Sequence, residues 1–434
     1  MTTITNANLY DFVTYRTNQF VRFDDTIRAI GPMSRYRPEG GDVVDLHGGL
    51  LMPGLILGHT HVYSAFARGM NVPFAPKTFQ DLLDQLWWKL DRNLDLPAVY
   101  ASGASMAYEY LRNGVTTIID HHASGAIDAS LSTLSQAIVQ DAGMRAAFCF
   151  ETSDRFDVAA CIRENLAYAK QAVPGRSAAL FGLHAAMSLS DDTLALVAEA
   201  KGDLPVHVHA AESAEDEELA LKRYGCRVIE RFDRFGLLSP GSLLVHCVHC
   251  DDDELALLKA RGVTVVVNPS SNMNNGVGLP DVKKMLGMGI PVILGDDGLS
   301  ASAAVEIRNL RLAMNHRYGN PTVFTMDDER QIILETYKFA SALLGVKLGR
   351  IEPGFAADLA ALDYLPPTPM DSDNAFGHVV FGLCQAFLPR HVFAAGVAAV
   401  KDYVPAAHLT EHAKESIECA KAVHDRIAAE GRKR

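Results

Sequence analysis

Eight short apolar runs, most of which end in histidine or acidic residues, constrain the fold of this chain more than any other feature. Helix-like stretches separate them, and near-continuous apolar strands are typical of a parallel sheet covered on both faces. Eight strand–helix units predict a (β/α)8 barrel, with a doubly wound open sheet as the alternative. The runs are LLMPGLILGHTH (50–61), VTTIIDHH (115–122), RAAFCFE (145–151), ALFGLHA (179–185), LPVHVHAAE (204–212), SLLVHCVH (242–249), VTVVVNP (263–269) and PVILGDD (291–297).

Two of the intervening stretches carry clear helix signals. The segment 78–94 opens with Thr78 as a candidate N-cap and Asp81 three residues later, followed by leucines at helical spacing. The segment 251–262 begins with acidic residues and ends at Gly262, which indicates a second helix.

The two ends of the chain have a different sequence pattern from the middle. Gly and Pro punctuate residues 1–50, which predicts small antiparallel strands, and RIEPGFAADLAALD, HVVFGLC and the segment around PRHVFAAGVAAVKDYV predict further short strands. Residues 407–429 indicate an amphipathic helix. We therefore expect one small β domain built from both chain ends. The expected boundaries are 1–54 and 353–405 for its two parts, 55–352 for the barrel and 406–434 for a C-terminal helix.

Composition excludes several classes of protein. The 40 basic and 52 acidic residues give a formal net charge of −12, which disfavours nucleic acid as a partner. Apolar runs are too short for a membrane span, and the N-terminus does not resemble a signal peptide. Seven cysteines, an odd and thinly spread set, fit a reducing compartment. These features predict a cytoplasmic protein that acts on a small molecule.

Histidine and aspartate residues end six of the eight apolar runs. In a barrel of this kind the C-terminal strand ends meet at one mouth, where the chemistry takes place. The two-residue periodicity of a strand places His59 and His61 on one face, and likewise His207 and His209. Imidazole and carboxylate together suit Zn²⁺ or Fe²⁺ with one position open for water. The sequence therefore predicts a catalytic metal site.

The ordered motifs resemble those of the amidohydrolase superfamily, in particular its deaminase and chlorohydrolase branch. The motifs are MPGLILGHTH, VHVHAAE, LLVHCVH, NPSSNMNNGVG, ILGDDG and IEPGFAADLAALD. Within that branch, HTHVYSAFARGM, VTTIIDHHAS and NPSSNMNN are most similar to the SsnA-type aminohydrolases. The resemblance implies a distorted TIM-type barrel beside a composite β-sandwich made from both chain ends.

The resemblance also implies a mononuclear site with one divalent metal per chain, Zn²⁺ or alternatively Fe²⁺. The implied ligands are His59, His61, His209 and Asp297. No lysine ends the fourth apolar run, which argues against the binuclear subclass that uses a carboxylated lysine.

The implied catalytic residues are Glu212, which transfers protons, His246, which contacts the water or the substrate, and Asp297, which accepts the proton of the attacking water. His184 matches a substrate-binding position. His122, Trp87 and Arg155 are further candidates for substrate contacts, from their places at or after strand ends. The roles of Asp296, Cys247 and Cys250 are left open.

The sequence thus predicts a metal-dependent hydrolase that acts on a C–N bond of a small N-heterocycle, most simply by hydrolytic deamination. The alternatives are a cyclic-amide amidohydrolase, a chlorohydrolase, or a barrel that has lost its chemistry and serves as a scaffold. The presence of Glu212 and His246 beside all four implied ligands speaks against the scaffold. A homodimer is expected from the family alone.

Overall fold

The computed structural model describes residues 1–431, and the three residues that follow, Arg432 to Arg434, lie outside the described part. The strands are β1 (Thr2–Tyr10), β2 (Tyr15–Phe23), β3 (Ile27–Pro32), β4 (Asp42–Asp45), β5 (Leu50–Pro53), β6 (Leu55–Thr60), β7 (Val115–His122), β8 (Arg145–Phe150), β9 (Ser177–Ala179), β10 (Phe181–Ala185), β11 (Val206–Ala210), β12 (Leu243–His246), β13 (Thr264–Val267), β14 (Val292–Leu294), β15 (Leu359–Leu362), β16 (His391–Ala394), β17 (Val397–Lys401) and β18 (Val404–Pro405).

The helices alternate with the barrel strands and close the chain. They are α1 (Phe79–Leu82), α2 (Trp88–Asp91), α3 (Leu96–Arg112), α4 (Ser130–Ser135), α5 (Val158–Ala169), α6 (Asp191–Ala200), α7 (Ala214–Tyr224), α8 (Val228–Arg234), α9 (Asp252–Arg261), α10 (Pro269–Asn275), α11 (Val282–Met288), α12 (Ala303–Tyr318), α13 (Met326–Leu344), α14 (Ala375–Gly377) and α15 (Ala407–Gly431). Within residues 1–431, no helix combines the length and the apolar character that crossing a membrane requires.

The eight predicted apolar runs form the parallel strands of a distorted (β/α)8 barrel. Strands β6 to β9 pair in parallel, as do β10 to β14, and β9 and β10 are two halves of one strand interrupted at Leu180. A parallel bridge between Thr152 and Leu183 joins the two groups on one side. On the other side the Asp296 N–H donates to the His59 carbonyl over 2.9 Å. The barrel prediction is confirmed, and the open sheet is excluded.

A glycine permits the close approach of the first and last barrel strands. A Cβ atom at Gly58 on β6 would lie 2.8 Å from Ile293 Cδ1 and 2.9 Å from the Leu294 carbonyl oxygen on β14. Carbon atoms in ordinary contact are separated by about 3.5–4.0 Å, so any side chain here would push the strands apart. This seam is where two of the predicted metal ligands, His59 and Asp297, face each other.

Strands from both ends of the chain form one nine-stranded sheet beside the barrel. Strands β1, β2 and β3 are antiparallel as predicted, but β1 also pairs in parallel with β4 and β5. Antiparallel pairing of β15 with β5 joins the two chain ends. A buried ion pair between Arg145 on β8 and Asp358, at 2.8 Å, links the barrel to this sheet. The predicted domain boundaries stay a prediction.

The first apolar run divides between the two parts of the fold. Its residues Leu50–Pro53 are β5 of the outer sheet, whereas Leu55–Thr60 are β6 of the barrel. Between them, a Cβ at Gly54 would clash with the side chain of Thr116. The chain therefore passes from one sheet to the other at a residue without a side chain.

Both predicted helix starts are confirmed, although one helix is less regular than expected. Thr78 and Asp81 form a capping box before α1, and a π-helical turn at residues 83–87 separates α1 from α2. Helix α9 begins after Asp251 and ends at Gly262, whose φ of 66° is the left-handed value that glycine adopts readily. The tail helix extends over Ala407–Gly431 and contacts α3 through a hydrogen bond from Ser416 Oγ to the Ala101 carbonyl.

The prediction of a strand at HVVFGLC (378–384) is wrong, because this segment is helical. Its buried side chains Val379, Val380 and Leu383, and Phe376 just before it, recur at helical spacing and belong to the main hydrophobic core. The spacing of these apolar residues over two turns determines the outcome.

Candidate metal centre and active-site cleft

Four of the predicted ligands converge at the barrel mouth. His59 and His61 end β6, His209 lies on β11, and Asp297 follows β14, and one donor atom from each lies within 4.8 Å of the others. His59 Nε2 is 3.0 Å from Asp297 Oδ1, and His61 Nε2 is 3.2 Å from the same oxygen. His61 Nε2 and His209 Nε2 are 3.1 Å apart. Three imidazoles and one carboxylate around one point are a donor set that suits a divalent cation.

The second ring nitrogen of each histidine fits this interpretation. Nδ1 of His61 donates to the His121 carbonyl at 2.6 Å, and Nδ1 of His209 donates to the His184 carbonyl at 2.9 Å. Nδ1 of His59 lies 2.8 Å from His207 Nε2. Metal-binding histidines usually have the distal N–H engaged in this way, which leaves Nε2 unprotonated for the ion. The residues present therefore fit a metal. His207 contacts the predicted ligand His59 and is not itself a ligand in this arrangement.

Strained backbone marks three of the strand ends at the mouth. Ala211, His246 and Asp297 have φ values of 48°, 74° and 56°, the left-handed region that residues other than glycine seldom adopt. Such conformations cost of order 1–3 kcal/mol each and persist where the surrounding structure holds them. Here they turn the chain just as it leaves the barrel, beside Glu212 and at two predicted catalytic residues.

Glu212, His246 and Asp297 form a second group of converging donors. His246 Nε2 is 3.5 Å from Glu212 Oε2 and 3.9 Å from Asp297 Oδ2. Burial, and then the nearby charge of Asp297, raises the pKa of Glu212 well above its usual value. Burial lowers the pKa of His246 to about 4. These shifts favour the protonated carboxyl of Glu212 and the neutral imidazole of His246, a suitable pair for proton transfer.

A cleft opens onto Glu212 and Asp297. His184 and Trp87 line the cleft, together with Trp88 and Phe79, and their contact with substrate stays a prediction. His184 is held by a 2.6 Å hydrogen bond between its Nδ1 and Ser188 Oγ.

Two other candidates for substrate contact are less accessible. His122 is fully buried, with its ring 6.0 Å from Tyr63 and 5.9 Å from Phe150, and neither ring nitrogen has a hydrogen-bond partner among the described residues. The guanidinium of Arg155 lies 4.5 Å from the ring of Trp88 and is already paired with two carboxylates. Substrate contact by either residue stays a prediction.

Two acidic residues that sequence reasoning missed line the cleft. Asp91, at the end of α2, and Glu151, just after β8, pair with Arg155 at 2.6 and 2.9 Å. Burial raises the pKa of Asp91 to about 6, whereas the pKa of Glu151 is about 2 because His184 and Arg155 outweigh the effect of burial. Glu151 ends an apolar run like the predicted ligands, so its position did carry a signal.

The comparisons with known proteins agree with this geometry. The amidohydrolase family model matches residues 50–426. The 5-methylthioadenosine/S-adenosylhomocysteine deaminase of Moorella thermoacetica is 29% identical over 377 residues, which cover 82% of this chain and 84% of that protein. The 5'-deoxyadenosine deaminase of Methanopyrus kandleri is 27% identical over 383 residues, covering 86% of each chain.

Solved structures of low sequence identity share the fold. An adenosine deaminase from Xanthomonas campestris with bound zinc has a TM-score of 0.83 at 21% identity, over 99% of this chain and 98% of that one. Atrazine chlorohydrolase from Arthrobacter aurescens, complexed with zinc, has a TM-score of 0.78 at 20% identity, over 98% of this chain and 100% of that one.

The family match spans the barrel and reaches into the C-terminal helix. It confirms the resemblance predicted from the motifs, while the narrower similarity to SsnA-type aminohydrolases stays a prediction. The chain belongs to the amidohydrolase family.

Proposed function

We propose that this protein is a metal-dependent aminohydrolase that replaces the amino group of a small N-heterocycle by a hydroxyl group and releases ammonia. One observation carries the proposal: the His59, His61, His209 and Asp297 donors converge at the mouth of a cleft into which Glu212 also faces. We propose Zn²⁺ as the ion, with Fe²⁺ as the alternative, because these donors suit both and zinc is present in related structures.

When bound, a divalent cation lowers the pKa of water toward ~7 and so supplies a nucleophile at neutral pH. The side chains around the site accept and donate the protons of the reaction. Asp297 accepts the proton of the attacking water at Oδ2, and Glu212 donates from its carboxyl to a ring nitrogen of the substrate. His246 donates from Nε2 to the oxygen as it adds to the carbon. Glu212, now a carboxylate, takes the remaining proton of the added hydroxyl group and passes it to the departing amine, so that ammonia leaves and the carbonyl tautomer of the product forms. The proton held by Asp297 then restores the Glu212 carboxyl.

The names of the relatives suggest the substrate class. The curated relatives above are named for deamination of 5-methylthioadenosine, S-adenosylhomocysteine and 5'-deoxyadenosine. We propose an adenosine-like substrate, for which the aromatic side chains of Trp87, Trp88 and Phe79 in the cleft offer stacking surfaces. A homodimer, a cytoplasmic location and the lack of a nucleic-acid partner complete the proposal.

The test is ammonia release from the zinc-loaded protein. Adenosine, 5'-deoxyadenosine, methylthioadenosine and guanine are supplied in turn, with a chlorotriazine and a cyclic amide as substrates of the alternative activities. Turnover of an aminopurine supports the proposal. Turnover of the chlorotriazine or the cyclic amide alone would replace it with the corresponding alternative.

Metal analysis separates an enzyme from an inactive scaffold. We expect about one zinc per chain in the wild type, as in mononuclear sites of this donor type. The His59→Ala variant should lose the zinc while it keeps a cooperative unfolding transition. A folded wild type that takes up no metal contradicts both the site and the activity.

A further inference from the structure

Helix α10 lies against the proposed proton-transfer residues and supplies their hydrogen-bond donors. Ser271 Oγ donates to Asp297 Oδ2 at 2.6 Å, and Asn272 Nδ2 lies 2.9 Å from His246 Nδ1. Asn275 Nδ2 donates in turn to Ser271 Oγ at 3.2 Å. Asn272 and His246 are both fully buried, so water does not compete for the contact between them.

The surroundings of His246 determine where its ring proton lies. Nε2 faces carboxyl oxygens of Glu212 and Asp297, at 3.5 and 3.9 Å, and has no hydrogen-bond partner among the described residues. The Asp297 carboxylate can only accept a hydrogen bond, which favours a proton at Nε2. A neutral imidazole carries only one ring proton, so Nδ1 must then accept a hydrogen bond. The Asn272 amide is the donor within reach of Nδ1 in the described part of the chain.

We propose that Asn272 is a positioning residue, which holds His246 in the tautomer with its proton on Nε2. The catalytic consequence of this assignment rests on the proposed function. With its proton on Nε2, His246 donates a hydrogen bond to the adding oxygen and cannot act as a base at that nitrogen. The partner of the far nitrogen commonly sets which form a catalytic histidine adopts. The amide acts through His246 and need not touch the substrate.

Nitrogen-15 NMR tests the tautomer directly. The zinc-loaded protein is labelled with [¹⁵N]histidine, and the His246 signals are identified by their loss in His246→Gln. We expect the wild type to show a protonated Nε2 and an unprotonated Nδ1. Asn272→Asp keeps the side-chain size but replaces the donor by an acceptor, so Nδ1 should become protonated. A wild type with its proton on Nδ1 overturns the proposal, whether or not the protein deaminates anything.

Kinetics with the best substrate provide the second readout. Asn272→Leu removes the donor, and we expect kcat to fall about ten- to hundredfold with KM within about threefold, because the tautomer acts in the transition state. Asn165→Leu is the matched control. Asn165 is equally buried, but its amide nitrogen and oxygen contact mainly backbone atoms of Phe150 and Gly182.

The control should lower the Tm without changing the tautomer of His246. An unchanged kcat in Asn272→Leu, or a tautomer that persists in both Asn272 variants, would show that the amide only fills space. A protein without any deaminase activity that still shows the Asn272-dependent tautomer would refute the proposed function and leave this hydrogen bond established.

Discussion

Replacing Glu212 by Gln removes the transferable proton of the cleft carboxyl and keeps its shape. General acid–base groups contribute about 10²–10⁴ in rate. At about 1.36 kcal/mol for each factor of ten, we expect the barrier to rise by about 2.7–5.4 kcal/mol. The loss should appear in kcat, because a glutamine still occupies the same volume of the cleft.

The pH dependence of the wild type follows from the surroundings of Glu212. Burial, and then the nearby Asp297, raises the pKa of its carboxyl, which favours the protonated form. Since the protonated form is the donor, kcat/KM should fall as the pH rises through this pKa. The Gln variant has no proton to lose there, and its residual activity should lack that alkaline decline.

Metal content decides whether the reasoning holds. Glu212 is outside the group His59, His61, His209 and Asp297, so Glu212→Gln should retain one zinc per chain. Glu218→Gln, at an exposed position of α7, is the control and should match the wild type in rate and metal. Loss of zinc from Glu212→Gln would make Glu212 a ligand, and an unchanged kcat would show that the proton comes from elsewhere.

Three further predictions concern stability, measured by urea unfolding. Gly58→Ala should cost about 1–3 kcal/mol, because the new Cβ overlaps β14. Gly287→Ala in α11 is the control, because no atom lies within 4 Å of the added carbon, and it should be neutral or stabilise the protein by up to about 1 kcal/mol. Equal losses of stability in the two variants would contradict the close approach of β6 and β14 as the cause. Arg145→Ala leaves Asp358 buried without its cation, so the free energy of unfolding should fall by about 3–5 kcal/mol. A much smaller loss, typical of a surface ion pair, would show that water reaches the carboxylate. Burial raises the pKa of Asp216 from 3.8 to about 7, so its carboxyl ionises more easily in the unfolded chain. As the pH rises between about 4 and 7, the free energy of unfolding of the wild type should therefore fall by up to about 1.4 kcal/mol per pH unit relative to that of Asp216→Asn. A difference that stays constant with pH would refute the pKa shift.

The barrel was predictable because its strands are buried on both faces and therefore read as apolar runs. The apolar pattern alone does not divide the run 50–61 between two sheets, since both halves are equally apolar, although the expected boundary between residues 54 and 55 falls inside it. The segment 378–384 was mispredicted as a strand, although its buried residues, with Phe376 before it, follow helical spacing. Packing of these residues into the main core determines the structure.

A metal site was predictable because histidine and aspartate residues end several strands and strand ends meet at one mouth, and the family resemblance selected the four proposed donors among those residues. The residues that form the cleft walls could not be predicted in the same way. Asp84 and Asp91 lie in one helical segment, yet Asp91 lines the cleft and Asp84 is exposed, because the π-helical turn that contains Asp84 shifts the helical phase. Arg155 was predicted to contact the substrate. It pairs with Glu151, four residues before it, and with Asp91 from a separate element that only the folded chain brings close.

The seam between β6 and β14 has a consequence for synthesis of the chain. His59 and Asp297 are 238 positions apart, and their side chains meet only where the first and last barrel strands adjoin. A nascent chain emerging from the ribosome presents the imidazoles of His59 and His61 long before the carboxylate of Asp297. If the four proposed donors bind one ion, coordination by all four requires that β14 has docked, so uptake of the ion by the complete set would report that the barrel has closed.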